Sequence, residues 1–185
     1  ALGARATREP GGRVSAAALA APLDAALAAA DTRLAPAVLL AAFDARGVIA
    51  WRALGDPRRD GSESARGTVF RIASMSKSFL AAAALALADE GRIDLSRSIA
   101  EYVPYVRFVF GGRTQQVTVG ELLANRSGMP EDNAWGDRQL GASRDEIAAL
   151  ARTGFELTEL PGVRYQYSNL GMSLVGRAIE AVTGR

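Results

Sequence analysis

The sequence contains no cysteine and no histidine. The first absence removes disulfides, thiolate nucleophiles and thiolate metal sites, while leaving the redox compartment open. The second removes from this chain a Ser-His-Asp triad, a histidine general base and a histidine-bound zinc. Any hydrolytic chemistry must therefore run on other groups. Lysine is nearly absent as well: Lys77 is the only one, and every other basic side chain is arginine. A guanidinium stays protonated under all ordinary conditions, whereas a desolvated ammonium can lose its proton. Lys77 is thus the one basic side chain able to act as a base.

Charge of one sign is also lacking. The formal net charge is +2, and only Arg58 and Arg59 stand adjacent among the basic residues, so no basic stripe exists to follow a phosphate backbone. Nucleic acid is not an expected partner. The longest apolar run, Phe79 to Ala88, is ten residues, against the roughly 20 needed to cross a bilayer. It reads as a core helix, and no transmembrane segment is expected. The sequence opens on Ala1 with no charged segment leading into an apolar one, which suggests a targeting peptide already removed or never present.

What remains is an ordinary globular composition: 185 residues, 49% hydrophobic and 23% charged, long enough for one domain with a core. Residues 1–15 read as a loose leader. Ser15 is placed to cap a helix reaching about Ala30, interrupted near Pro22. Two apolar runs around Asp44-Ala45-Arg46-Gly47 read as a hairpin. Residues 68–72 read as a short strand leading into a helix that carries Ser74 and ends at Gly91. Residues 92–142 look mostly irregular apart from a short helix over Val119–Ala124, capped by Thr118. Ser143 and Glu146 form a Ser-x-x-Glu capping box for a helix to about Arg152. After a turn at Pro161-Gly162, residues 163–167 read as extended. Leu170, Leu174, Val175, Ala178, Ile179 and Val182 then repeat at helical spacing up to Gly184. No repeat and no dividing linker is evident. A single hairpin cannot close a sheet, so part of the structure is missing from this picture.

Two constellations carry chemistry. Ser74 and Lys77 stand three residues apart and share one helix face, the arrangement of a nucleophile beside its base. In the first helical turn the Ser74 N–H is an unpaired donor available to an oxyanion, and the helix dipole together with apolar neighbours disfavours the lysine charge. The second is Tyr167, Ser168 and Asn169, where an extended segment meets a helix. A phenol beside Lys77 would form a coupled acid and base able to activate Ser74, and Asn169 could offer its amide to a substrate carbonyl and orient the lysine. The plainer alternatives stand beside these: a chance serine near a lysine, Ser168 or Asn169 as an ordinary helix cap, and Tyr167 as a core aromatic. Asp132, Asn133 and Trp135 are lesser candidates for the rim of a cleft, against the reading that they are solvated loop residues. Asp60, Asp94 and Glu101 form no pair at a spacing that supports two-carboxylate hydrolysis.

Three segments, "FRIASMSKSF", "ELLANRSGMP" and "PGVRYQYSNLGMSLVGRAIEAVTG", resemble in order and spacing the serine β-lactamase-like hydrolases of the class C type, which include D-alanyl-D-alanine carboxypeptidases, esterases and D-amino acid peptidases. The resemblance runs from about residue 16 to the end. It implies an α/β (α+β) fold of the β-lactamase/transpeptidase type, an antiparallel sheet flanked by helices plus a helical subdomain, incomplete in this chain. It further implies that Ser74 is acylated, Lys77 is its proton partner, Tyr167 is general base and acid, and Asn169 binds substrate. Amide, β-lactam and ester bonds are the implied targets, with a small molecule or peptide as substrate and no metal or organic cofactor. A non-catalytic scaffold with the same fold is the alternative. Two departures are visible. Asn125 and Arg126 stand where many relatives carry a His-Thr pair, a position read as loop scaffolding. The family's Lys-Thr-Gly or His-x-Gly strand lies past residue 185, so residues 16–185 read as the N-terminal part of one domain, completed by a second chain or the rest of a cut polypeptide. The expected location is extracytoplasmic, periplasmic or secreted, with the cytoplasm left open.

Overall fold

The computed structural model describes residues 14–31, 33, 35–58, 61, 65–132 and 141–184. Most of the expected leader, together with Asp60, Asn133 and Trp135, lies outside the described residues. The chain divides into two compact units, residues 1–71 and 72–185.

In the first unit, helix α1 (Ala16–Ala28) begins where the Ser15 side chain accepts a hydrogen bond from the Ala18 N–H. It is not interrupted at Pro22, contrary to the expectation from sequence. A proline removes one backbone donor, and here the neighbouring alanines and leucines carry the helix through it. Strands β1 (Ala37–Asp44) and β2 (Gly47–Gly55) form the expected antiparallel hairpin. The turn closes at Gly47, whose φ of +133° suits a residue without a Cβ. The register slips between Ala42 and Phe43, which marks a bulge.

The second unit contains the larger core. A single turn of 3₁₀ helix, Ala73–Met75, leads directly into α2 (Ser76–Asp89). Residues 68–72, expected as a strand, pair with nothing in a ladder. Helix α2 is also less buried than the apolar run suggested: Ala84 and Leu87 are buried, whereas Phe79 is 71% and Leu85 50% exposed. The reason is its alanine-rich make-up. Leu80, Ala84 and Leu87, at helical spacing, join the core, and the opposite face meets nothing in the described residues.

A second sheet lies in the stretch expected to be irregular. Strands β3 (Phe108–Phe110) and β4 (Arg113–Gln115) form an antiparallel hairpin through Gly111-Gly112, and β5 (Phe155–Glu156) adds to β3 in parallel. This small sheet is thus mixed, in a part of the chain where no sheet was expected. Phe108 and Phe155 pack ring to ring with centroids 5.8 Å apart. Helix α3 (Val119–Leu123) has a full capping box between Thr118 and Glu121, and α4 (Arg144–Thr153) has one between Ser143 and Glu146. The last helix, α5 (Asn169–Thr183), buries Leu170, Leu174, Val175 and Ala178 against α2 and α3, with Ile179 and Val182 partly covered. Residues 163–167 arrive at its start as irregular backbone outside any ladder. No helix among the described residues is long and apolar enough to cross a membrane.

Candidate active site

Two helix starts meet in the second unit. On one side Ala73 takes φ = +45°, a left-handed conformation that costs a residue with a Cβ about 1–2 kcal/mol. That strain turns the chain just before Ser74, which is exposed. Met75 N–H bonds the Ile72 carbonyl at 3.1 Å, and the Ser74 N–H, one residue earlier, has no acceptor among the described residues. This is the pattern of an available first-turn donor. Three residues on, the Lys77 ammonium is half-buried.

On the other side, the side chains of Tyr167 and Asn169 reach the same pair. The Ser74 and Tyr167 hydroxyl oxygens lie 2.6 Å apart. Lys77 Nζ donates to Ser74 Oγ at 3.1 Å and to Asn169 Oδ1 at 2.6 Å. The ammonium also stands 5.0 Å from the centre of the Tyr167 ring. All four residues singled out in the sequence, Ser74, Lys77, Tyr167 and Asn169, therefore share one hydrogen-bonded cluster, although more than ninety positions separate Ser74 from Tyr167. Because Asn169 accepts from lysine through its oxygen, its amide nitrogen remains available as a donor.

The electrostatics of the phenol follow from this geometry. Tyr167 is held below its ordinary pKa, first by the neighbouring Lys77 ammonium, then by its hydrogen bond with Ser74. Burial and the negative charge of Asp132 act in the opposite direction. A phenol so placed can take a proton from the neighbouring serine at lower pH than a free tyrosine could.

The Tyr167 side is built by buried scaffolding. Ser168 is 2% exposed and caps α5: its hydroxyl accepts from the Gly171 N–H at 2.9 Å. Its own N–H donates to Asn125 Oδ1 at 3.0 Å, and the Asn125 carbonyl accepts from the Gln166 N–H at 2.8 Å. Asn125 makes both contacts from a left-handed conformation, φ +53°, which asparagine tolerates better than most residues. Arg126 bonds the Gly162 carbonyl through its guanidinium and accepts from the Gly162 N–H at 2.7 Å. The 125–126 pair thus acts on the tyrosine segment as loop scaffold. Gly128 closes the same loop against residues 158–160: its carbonyl accepts from the Thr158 N–H at 2.9 Å, and it has a φ of +79°.

Sequence reasoning undervalued two contributors. Asp132 was read as a rim residue, yet its carboxylate bonds the start of α5. Ser168, given no catalytic role but named with Asn169 as an ordinary helix cap, is that cap. A serine two residues before an apolar periodic run was the usable signal for Ser168; nothing in local spacing announces Asp132, which comes from a loop 36 residues earlier.

Ser74, set just after the left-handed Ala73 and beside Lys77, is thus met by Tyr167 and Asn169 from a second helix start. The sequence matches the Beta-lactamase family over residues 20–185, and the chain belongs to that family. Among curated relatives, Protein flp of Staphylococcus aureus (strain COL) is 34% identical over 118 residues, covering 63% of this chain and 24% of that protein. Among solved structures, the octameric penicillin-binding protein homologue from Pyrococcus abyssi superposes with a TM-score of 0.73 at 26% identity, covering 89% of this chain and 39% of that one. The D-stereospecific amidohydrolase from Streptomyces sp. gives 0.65 at 28% identity, covering 93% and 51%. The fold is therefore β-lactamase/transpeptidase-like, and the chain spans about a quarter of its curated relative and two-fifths to half of these solved chains.

Proposed function

We propose that the protein is a serine hydrolase working through an acyl-enzyme, with Ser74 as nucleophile. The observation that carries this reading is the 2.6 Å approach of the Tyr167 hydroxyl to Ser74 Oγ while Lys77 bonds the same oxygen. In the proposed reaction Tyr167, as phenolate beside the Lys77 cation, takes the Ser74 proton as Oγ bonds to the substrate carbonyl carbon. The oxyanion accepts from the Ser74 N–H, and the Asn169 amide nitrogen donates to a second substrate oxygen. Collapse breaks the bond to the leaving amine or alkoxide, which receives the proton from Tyr167. Water, deprotonated by the same phenolate, then releases the acid and restores Ser74.

Amides, lactams and esters all fit this chemistry. The likeness to a D-stereospecific amidohydrolase at 28% identity inclines the reading toward amide bonds in small D-configured peptides. We place residues 16–185 in one hydrolase domain whose remaining site wall, a strand with a Lys-Thr-Gly or His-x-Gly motif, comes from polypeptide outside these residues. The comparisons give no support for a separate complementary chain. An extracytoplasmic location belongs to the same reading, and cell fractionation tests it.

The decisive experiment is labelling of the intact protein with a fluorophosphonate and with a fluorescent penicillin, read by peptide mass spectrometry. An adduct on Ser74 that disappears in Ser74→Ala is expected. No adduct from either reagent, as a non-catalytic scaffold would give, or an unchanged adduct in Ser74→Ala, would overturn the reading.

A further inference from the structure

The start of α5 is held more firmly than a helix start requires. The Ser168 hydroxyl already satisfies one of the orphan N–H groups, which is the whole contribution of an ordinary cap. Asp132 adds three further bonds to consecutive residues. Its Oδ1 accepts from the Asn169 N–H at 2.7 Å, and its Oδ2 accepts from the Leu170 N–H at 2.8 Å and from the Ser168 hydroxyl at 2.9 Å. The carboxylate is half-buried and faces the positive end of the helix dipole. The residues it fixes include Asn169, which holds Lys77, and flank Tyr167, which meets Ser74.

We infer that Asp132 is a positioning residue of this site: through its three bonds at the start of α5 it sets the placement of Tyr167 and Asn169 relative to Ser74 and Lys77. The groups acting on that phenol are Ser74 and Lys77, from the start of α2, and Asp132, from the loop after α3. Lys77 favours the phenolate and Asp132 opposes it. The opposition has a chemical use, because a phenol made too acidic by an unbalanced cation is a poor acceptor for a serine proton. Against the larger influence of Lys77, the charge of Asp132 acts in the direction of a more basic phenol.

The kinetic part of this inference rests on the acyl-enzyme reading, but the phenol titration does not. Asp132→Asn keeps one acceptor oxygen and removes the charge; Asp132→Glu keeps the charge and displaces it. Tyr167 ionisation is followed at 295 nm as the difference from Tyr167→Phe. In Asp132→Asn the midpoint is expected to move to lower pH, with the acid limb of the acylation rate following it. In Asp132→Glu the midpoint stays near the parent's. Both variants are expected to lose about 10- to 100-fold in acylation rate, the scale of a misplacement of up to 1 Å. An Asp132→Asn midpoint that is unchanged or raised, or a fall in melting temperature in either variant with parental midpoint and rate, would reduce Asp132 to a plain helix cap and overturn the inference. A shifted midpoint in a protein that forms no acyl adduct would sustain the charge role of Asp132 while the hydrolase reading fails.

Discussion

The two helix starts that meet at the site are built in opposite ways. At α2 the chain enters through a strained Ala73, no side chain caps the helix, and Ser74 is exposed. At α5 the cap is buried, and Ser168, Asn125 and Asp132 satisfy the first amides. A helix start whose donors are all taken is rigid and chemically closed; one whose donors are left over can bind an anion. On the function proposed above, the difference separates framework from substrate side: the start of α5 holds Tyr167 and Asn169 still, and the turn before α2 presents the proposed nucleophile, Ser74, with an N–H that has no acceptor among the described residues.

The sharpest way to break the comparison is to remove the group that crosses between the two sides. Tyr167→Phe keeps the ring and the scaffold but deletes the hydroxyl at Ser74. Loss of about 10²- to 10⁴-fold in single-turnover acylation is expected, with a melting temperature close to the parent's. A variant acylating at the parental rate would leave Tyr167 as a packing residue.

Lys77→Ala tests the electrostatic half. The phenol pKa is lowered chiefly by the neighbouring Lys77 ammonium, so without it the pKa returns upward, and the pH above which Tyr167 is a phenolate rises with it. The acid limb of the acylation profile is then expected to shift to higher pH. In stability, the sign is that of a depressed acid. The favourable interaction of the phenolate is fully present above the unfolded tyrosine pKa of about 10 and is lost as pH falls through the lower folded value. The parent's extra alkaline stability should be missing in Lys77→Ala, as denaturant titrations at several pH values would show.

On the framework side, Asn125→Ala removes the acceptor of the buried Ser168 N–H and puts a Cβ-bearing residue less suited to φ > 0 at that position. A destabilisation of about 1–3 kcal/mol is expected from the orphaned donor, measured by urea unfolding. The smallest effect is expected from Ala73→Gly. Relief of left-handed strain should stabilise the protein by up to about 1 kcal/mol, while a looser approach to Ser74 slows acylation. Stabilisation without slowing would mean that the strain does nothing for the serine.

Much of this arrangement was legible where its causes are local. Ser15, Thr118 and Ser143 announce helix starts because a short oxygen-bearing side chain before a periodic run has one efficient use, and the structure places each at that use. Ser74 and Lys77 were readable as a pair for the same reason, three positions on one helix. The β3–β4 hairpin was not, since three-residue strands carry too little alternation to register and their pairing with β5 depends on a partner more than forty residues away. Helix α2 misled in the other direction: a continuous apolar run says nothing about how many sides are covered, and Phe79 is bare. Asp132 was named only for the rim of a cleft, because its bonds run to a helix start 36 residues further along the chain.

Gly128 gives the scaffold an unexpected sensitivity. A methyl group at that position would overlap the backbone of Glu159 in addition to fitting its φ poorly. The loop bearing Asn125 and Asp132 would then have to part from the segment that carries the tyrosine. One carbon atom, added at a residue outside the Ser74–Lys77–Tyr167–Asn169 cluster, would loosen the frame on which that cluster hangs.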